Sequence, residues 1–219
     1  TMLGKILAKR RARVVIATKV LGQMREGDAS SGGLSRKHIL EGLDASLKRL
    51  KTDFVDLYMP HDTDPRVPLE ESLEAFDRAK RAGKIRALGC SNFTGEDMQG
   101  WLAAAAAKGW ARLEFNEIQF SLACRDIERN EVAVCAASGL GLIAWSPLGG
   151  GFLSAKYGPG FKGKGRRSDP FKAFPPLPET RLSGLIELLK RVAQLEGVSP
   201  AQAALGWALG KPWLSSAVL

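Results

Sequence analysis

Hydrophobic residues along the chain follow two alternating patterns, one typical of buried strands and one typical of amphipathic helices. Short apolar runs rich in β-branched residues predict six strands, at Val14–Thr18, Val55–Met59, Ile85–Cys90, Leu113–Gln119, Gly141–Trp145 and Ser215–Leu219. Between these runs, apolar residues recur every three or four positions, which predicts helices. The chain therefore alternates strand and helix from beginning to end.

Polar caps and glycines mark the ends of the predicted helices. Ser35 is suited to cap the first of them, and Pro68 opens a second that ends near Gly83. Further helices are predicted near Gly95–Lys108, near Ile127–Ala137, around Leu182 to Val192, and from Pro200 with Ser199 as its cap. Strands separated by single helices are typical of parallel pairing with right-handed crossovers.

Such a pattern fits either an open doubly wound sheet or a closed barrel, and two features favour the barrel. No G-x-G-x-x-G motif follows the first strand, so the dinucleotide fingerprint of the open sheet is absent from the sequence. Polar residues stand at the ends of successive strands, namely Lys19, His61, Ser91 with Asn92, Gln119 and Ser146. A (β/α)8 TIM barrel builds its active site from these positions.

The predicted barrel looks incomplete. Six strands are visible where eight are needed, and the chain opens inside a predicted helix and stops inside a predicted strand. We expect residues 1–219 to form a single barrel domain that is incomplete at both ends, with the N-terminal strands and the C-terminal tail missing. Residues 158–178 are polar and interrupted by glycine and proline, so we expect a mobile loop over the site at the carboxyl ends of the strands.

Composition is that of an ordinary soluble globular protein, with 45% hydrophobic and 25% charged residues. No apolar run approaches the roughly 20 residues of a membrane helix, and no signal peptide opens the chain, so we expect a cytoplasmic protein without membrane contact. Cys90, Cys124 and Cys135 are widely spaced in apolar surroundings. This pattern favours reduced thiols over a disulfide frame or zinc site, and no structural metal is predicted.

The net charge of +9 and the isoelectric point near 9.7 raise the possibility of a nucleic-acid partner. The basic residues, however, fall on helix faces and in short clusters such as KRRAR and KGKGRR, with no interleaved aromatic residues. A solvated surface explains this pattern better, and an anionic small-molecule cofactor would use the same charge. We therefore predict no nucleic-acid partner.

Five blocks of the sequence resemble, in order and spacing, successive blocks of the aldo-keto reductase family. They are VVIATKV, LYMPHDTDP, GKIRALGCSNF, GLGLIAWSPLGGGFLSAKY and SPAQAALGWAL, and the resemblance extends from about residue 2 to residue 219. It is closer to the soluble, broad-substrate bacterial branch and the channel-associated β subunits than to the sugar-reducing branch. The resemblance implies a barrel that binds NADPH, or NADH, and reduces a small-molecule aldehyde or ketone without metal.

The resemblance also implies a catalytic tetrad of Asp, Tyr, Lys and His. Lys19 matches the lysine and His61 the histidine, whereas Tyr58 and Tyr157 do not match the tyrosine. The Asp and the Tyr are therefore expected upstream of Thr1. A tyrosine with a pKa near 10 is a weak acid at neutral pH, so a cation such as Lys19 must support it, and His61 would hydrogen-bond the substrate oxygen.

Position alone leaves simpler alternatives for both residues. Lys19 is equally well placed to be a surface lysine at a strand end. By position alone, His61 is better explained as terminating a strand by bonding to the backbone, to Asp62 or to Asp64. The catalytic interpretation of both residues depends on the surrounding blocks.

The resemblance assigns the nicotinamide end of the cofactor to residues that follow two strands. Ser91 and Asn92 match the pair that grips the carboxamide, although the same dipeptide also suits the start of a loop before a helix cap. Phe120 matches the aromatic residue that stacks on the nicotinamide. Glu117 replaces the usual glutamine, and a carboxylate accepts a hydrogen bond from an amide but donates none. Gln119 lies on the same strand face as Glu117, so the same contact is open to it.

The turn WSPLGGGFLSAKY is predicted to bind the pyrophosphate, because small residues let backbone N–H groups approach an anion. Ser146 and Ser154 add hydroxyls, and Lys156 adds a charge. The predicted contacts are Trp145, Ser146, Pro147, Leu148, Gly149, Gly151 and Lys156. Ala155 replaces a glycine of the family, and a glycine-rich turn is otherwise only a tight bend. Residues 162–167 either reach the adenosine 2′-phosphate or form a solvated loop.

A second function remains open at this stage. A barrel that binds the nicotinamide cofactor but serves as a partner or sensor subunit would share all these features, as the channel-associated relatives suggest. An Asp and a Tyr upstream of Thr1 would favour the enzyme.

Overall fold

The computed structural model describes residues 2–7, 9–28, 31–157, 177 and 182–219. Of the mobile loop predicted at residues 158–178, only Leu177 belongs to this part of the chain. The KGKGRR run at 162–167 lies outside it entirely.

Six strands alternate with helices along the described residues, and the strands hydrogen-bond in chain order in one sheet. The strands are β1 (Ala17–Val20), β2 (Val55–Pro60), β3 (Ile85–Ser91), β4 (Leu113–Gln119), β5 (Gly141–Trp145) and β6 (Leu214–Val218). The helices are α1 (Met2–Leu7), α2 (Arg36–Leu50), α3 (Leu69–Arg81), α4 (Gly95–Lys108), α5 (Glu131–Ser138), α6 (Leu182–Leu195) and α7 (Pro200–Leu209). This parallel α/β architecture is consistent with the predicted (β/α)8 barrel, although the six described strands do not close on themselves.

Side-chain caps set the starts of three helices, and the sequence predicts two of these caps, Ser35 and Ser199. The side chain of Ser35 accepts a hydrogen bond from the first turn of α2. Thr94 with Asp97, and Ser199 with Gln202, form reciprocal capping boxes at α4 and α7. Each box satisfies two backbone N–H groups that the helix itself leaves unpaired.

The first strand begins three residues later than predicted, at Ala17. The cause is the Asp56 carboxylate, which accepts the N–H of Ile16 at 2.9 Å and pairs with Arg11 at 2.8 Å. The N–H of Ile16 therefore points to a side chain, and the regular ladder starts after it. The strand also ends two residues later than predicted, at Val20, so Lys19 lies inside β1 and not just past its end.

The predicted helix near Ile127–Ala137 is divided in two. A 3-10 helix covers Asp126–Arg129, and α5 starts only at Glu131. Asn130 between them has a φ of −141° and a ψ of −55°, which interrupts helical geometry.

The chain divides into two compact units. The first contains Thr1–Asn116 and Ser138–Leu140, and the second contains Glu117–Ala137 and Gly141–Leu219. Each unit has its own aromatic and aliphatic core.

An aromatic chain joins β2 to α3 and α4 in the first unit. The ring centroids of Tyr58 and Phe76 are 5.3 Å apart, those of Phe76 and Trp101 6.2 Å, and those of Trp101 and Phe93 5.3 Å. Tilted and edge-on aromatic pairs of this kind contribute beyond the area that they bury. They fix these two helices on one face of the sheet.

In the second unit, aliphatic residues hold α6 and α7 against the 3-10 helix Phe152–Ser154. The buried residues of this cluster are Leu153, Ile186, Leu189 and Ala204. The glycine-rich turn after β5 is thereby attached to two helices through its own Leu153.

Each unit also contains an aromatic ring shared by two cations. In the first unit the guanidinium carbons of Arg11 and Arg86 lie 4.0 and 4.2 Å from the ring centroid of Phe54, and both side chains also pair with Asp56. We name this the Phe54 cluster. It lies before the start of β2, at the end of the strands opposite His61, where barrel residues serve stability.

The Trp207 cluster of the second unit also combines two cations, one carboxylate and one aromatic ring. Arg125 lies 5.2 Å and Lys211 4.3 Å from the Trp207 ring, and both side chains pair with Glu128. Burial alone would raise the pKa of Glu128, but the hydrogen bonds from Arg125 and Lys211 outweigh burial and lower it.

A close contact between β3 and β4 depends on glycine. The Phe115 ring lies directly over Gly89, where an added Cβ would come within 2.2 Å of a ring carbon. Both residues are buried, so the ring has little freedom to withdraw.

We predict that Gly89→Ala lowers the free energy of unfolding by about 1–3 kcal/mol, because the methyl group displaces the Phe115 ring. Gly100→Ala is the matched control, since Gly100 is exposed in α4 and an added Cβ meets nothing within 4 Å. It should raise stability by about 0.5–1 kcal/mol. Denaturant unfolding measures both, and an equally stable Gly89→Ala variant would contradict the prediction.

Candidate active site

Lys19 lies in β1 and His61 directly follows the neighbouring strand β2, and the register places the two residues on the same face of the sheet. The register pairs Lys19 with Met59, and His61 follows Met59 by two residues, which returns its side chain to the same face. The N–H of His61 donates to the carbonyl of Val20 at 2.9 Å, so the pairing continues past the end of β2. Lys19 is partly buried and His61 is exposed.

The opposite face of these strands packs on α2 and contains Tyr58. Its hydroxyl donates to the carbonyl of Ile39 at 2.8 Å, and its side chain is fully buried. Burial, together with the nearby charge of Asp44, raises the pKa of Tyr58 above its ordinary value. Tyr58 therefore points away from the face of Lys19, and its hydroxyl is occupied by the backbone of α2.

The end of β3 brings Ser91 and Asn92 beside His61. The register pairs Tyr58 with Leu88, so His61 is level with Ser91. The Nδ2 of Asn92 donates to the His61 carbonyl at 3.0 Å and to the Ser91 hydroxyl at 3.2 Å. Asn92 has a φ of +60°, a left-handed conformation that asparagine tolerates better than most residues.

The first unit thus brings together four predicted site residues, namely Lys19, His61, Ser91 and Asn92. Hydrogen bonds fix the backbone of His61 on both sides, through its N–H to β1 and through its carbonyl to Asn92. A cation and an imidazole on one face of adjacent strands are suited to stabilise negative charge that develops on a substrate oxygen.

The two aspartates that follow His61 have other partners. Asp62 accepts the N–H of Thr63 at 2.8 Å. Asp64 accepts the N–H of Leu34 at 3.0 Å and three hydrogen bonds from Arg66. The sequence suggested Asp64 only as an alternative partner of His61. Its contact with Leu34 joins positions 30 residues apart. No local sequence signal predicts a contact of that range.

The turn after β5 has a backbone that favours glycine. Gly149, Gly150 and Gly151 are consecutive residues with φ of +57°, +65° and +92°. Ser146 has a φ of +52° although it carries a side chain, and its carbonyl accepts the N–H of Gly149 at 2.8 Å. Pro147 is buried, and Leu148 packs on the aliphatic core of the second unit.

Lys156 folds back over this turn. A Cβ on Gly151 would lie 3.3 Å from Lys156 Cε and 3.5 Å from its Nζ, and the ammonium lies 5.1 Å from the Tyr157 ring. The Ser154 hydroxyl donates to the Gly151 carbonyl at 2.6 Å. A cation over three consecutive glycines suits an anionic ligand such as a phosphate. The Ser154 hydroxyl, by contrast, stabilises the turn itself.

The end of β4 contributes buried residues to the second unit. Glu117 is 4% exposed. Phe120 is fully buried, stacks on Trp207 with centroids 5.5 Å apart and meets Trp213 edge-on at 4.8 Å. Its N–H donates to the carbonyl of Trp145 at the end of β5. The structure thus places Phe120 in an aromatic group that the sequence did not predict.

Gln119 was expected to share a contact with Glu117. Its Nε2 instead donates to the Cys124 sulfur at 3.1 Å, within the loop that follows β4. No disulfide joins Cys90, Cys124 or Cys135. Burial, helped by the charge of Glu131, raises the pKa of Cys135 to about 11, and burial also raises the pKa of Cys124.

Among the described residues, no cluster of three or more His, Cys, Asp or Glu side chains is suited to hold a metal ion. Over the same residues, no helix combines the length and the apolar character that crossing a membrane requires.

Comparison with protein families matches residues 1–219 to the aldo/keto reductase family. The chain is 33% identical over its whole length to a putative voltage-gated potassium channel subunit beta of Schizosaccharomyces pombe, of which it covers 66%. It is 33% identical to the uncharacterized oxidoreductase YrpG of Bacillus subtilis and 31% identical to L-glyceraldehyde 3-phosphate reductase of Escherichia coli, covering 67% and 64% of them. The chain thus spans about two thirds of these relatives.

The left-handed backbone of Ser146 generates a prediction about stability. Ser146→Gly should raise the free energy of unfolding by about 0.5–1 kcal/mol, because relief of the left-handed conformation outweighs the added flexibility of glycine. Ser146→Ala removes the hydroxyl but keeps the Cβ, so it should give no such gain. Denaturant unfolding of the two variants measures the difference, and equal stabilities would show that the turn is not strained.

Proposed function

This chain belongs to the aldo/keto reductase family, and from that premise we propose that it reduces aldehydes or ketones to alcohols with NADPH, or with NADH, as cofactor. The observation that carries the proposal is the placement of Lys19 and His61 on one face of adjacent strands, joined by the His61 to Val20 hydrogen bond. Relatives named as an oxidoreductase and as a reductase support the same reaction class.

We assign the two residues different tasks. Reduction of a carbonyl produces an alkoxide, which must be stabilised and protonated. His61 donates a hydrogen bond to that oxygen and orients the substrate. Lys19 lowers the pKa of a tyrosine that donates the proton. The resemblance implies that this tyrosine and an aspartate belong to the same tetrad as Lys19.

The residues of the second unit fit the anionic part of a dinucleotide. The glycines of the turn after β5 leave space for phosphate oxygens, and Lys156 lies over that turn. We propose that the segment from Trp145 to Gly151 and Lys156 hold the pyrophosphate. The nicotinamide supplies the hydride when it is bound.

In the first unit, Ser91 and Asn92 are proposed to hold the carboxamide of the nicotinamide. Because Asn92 also holds the His61 carbonyl, its side chain would link cofactor binding to the position of the histidine.

A second candidate function is a cofactor-binding subunit without turnover. The 33% identity to a putative potassium channel subunit beta favours it. Under this alternative, the same residues hold the cofactor. The redox state of the cofactor then regulates a partner protein.

Steady-state oxidation of NADPH with 4-nitrobenzaldehyde, using the full-length protein, separates the two functions. Turnover that depends on the aldehyde supports the reductase. Bound cofactor, detected by fluorescence titration, without turnover on a panel of aldehydes and ketones would exclude the enzyme and favour the subunit.

We predict that Lys19→Met lowers kcat by roughly a hundredfold or more, because the proton donor loses its cation. NADPH affinity and the fold should be kept. Lys37→Met is the matched control, since Lys37 is exposed in the first turn of α2, and it should behave as wild type. Initial rates and fluorescence titration measure the two quantities, and full activity of Lys19→Met would refute the assignment.

We also predict that His61→Ala lowers kcat and reduces discrimination between substrates, because the carbonyl oxygen loses the donor that orients it. Thr63→Ala changes an exposed neighbour in the same loop and serves as control. Kinetics on a pair of aldehydes that differ in shape provide the measurement. Unchanged kinetics in His61→Ala would contradict its role.

A further inference from the structure

Two loops border the part of the sheet where Lys19 and His61 lie. The first follows β1 and leads to α2, and the second, at residues 61–68, joins β2 to α3. In the second loop, Asp64 is buried, whereas the other four residues from His61 to Pro65 are exposed.

The Asp64 carboxylate is surrounded by N–H donors from both loops. Its Oδ2 accepts the Leu34 N–H at 3.0 Å and Arg66 Nη2 at 3.0 Å. Its Oδ1 accepts Arg66 Nε at 2.8 Å and the Arg66 N–H at 3.2 Å. The Arg66 guanidinium, assisted by the Leu34 N–H and opposed by burial, lowers the pKa of Asp64, so the group is ionised at neutral pH.

Gly33 makes this arrangement possible. Its φ is +81°, and a Cβ on it would lie 2.4 Å from Asp64 Oδ2. The Gly33 N–H donates to the carbonyl of Leu21, two residues after Lys19, at 2.7 Å. Only a residue without a side chain lets the carboxylate approach the first loop this closely.

These hydrogen bonds connect the segment that contains His61 to β1 and to the first loop. The His61 N–H bonds to the Val20 carbonyl, Leu21 bonds to Gly33, and Leu34 bonds to Asp64, three residues after His61. The side chain of Asp64 is 2% exposed, and such burial is costly for a charge unless it is fully hydrogen-bonded. The loop thus depends on one buried group for its attachment to the first loop.

Resting on the proposed function, we propose that Asp64 is a positioning residue for the reduction. It fixes the backbone from which the His61 imidazole projects, while Asn92 fixes the same backbone from the side of β3. A misplacement of about 1 Å lowers a rate by about a hundredfold, so a loosened loop should affect kcat before binding of the cofactor.

Asp64→Asn in the full-length protein tests this inference, because it keeps the shape of the side chain and places an amide against N–H donors. We expect kcat to fall at least tenfold while KM for NADPH stays within about twofold of wild type. A wild-type kcat, or an equal loss in NADPH binding, would overturn the positioning role.

Two controls separate positioning from charge and from stability. Asp62→Asn removes the same charge one residue from His61, at an exposed site whose hydrogen bond is local, and should leave kcat unchanged. Ser72→Ala removes the hydroxyl that donates to the Leu34 carbonyl at 2.8 Å. It should lower the Tm but keep kcat. Loss of kcat in either control, to the extent seen in Asp64→Asn, would overturn the inference.

Side-chain NMR provides a readout that needs no turnover. The ring signal that disappears in His61→Ala is that of His61. We expect the His61 signal to broaden or split in Asp64→Asn and to stay single in Ser72→Ala. Absence of wild-type turnover would refute the proposed function alone, whereas an unchanged His61 signal in Asp64→Asn would refute the role of Asp64.

Discussion

The hydrogen bond from the His61 N–H to the Val20 carbonyl fixes the relation between the two proposed catalytic side chains. It continues the β1 to β2 pairing beyond the last residue of β2, so the face of His61 follows from the face of Lys19. Because side chains alternate along a strand, a slip of one residue would turn one of the two to the opposite face. Strand register therefore decides whether Lys19 and His61 lie on the same face, whatever contacts their side chains then make.

The register is in turn enforced by the face that packs on the helices. Tyr58 and Leu88 are paired across β2 and β3, and both are fully buried. Tyr58 and Val20 also stand close to Gly42 of α2, where any added Cβ would contact them. A slip would expose these residues, and register is strongly specified wherever one face is buried. The polar face is thus aligned by the packing of the apolar face.

Local signals in the sequence predicted most elements well. The strands at Leu113–Gln119 and Gly141–Trp145 match β4 and β5 at both ends, and Ser35 caps α2. Such signals lie within a few residues of the element that they define. The late start of β1, by contrast, depends on Asp56, forty residues away in sequence. The bond between Asn92 and His61 and the aromatic neighbours of Phe120 are likewise contacts between distant segments, which no local periodicity records.

The Phe54 and Trp207 clusters suggest a physical origin for part of the basic character of the chain. In each, two cations share one carboxylate and one aromatic ring. The ring quadrupole attracts the cations, as a second anion would, but the ring carries no formal charge. Each cluster therefore contributes one net positive charge to the chain. An excess of arginine and lysine can therefore arise from internal architecture, without selection for a polyanionic ligand.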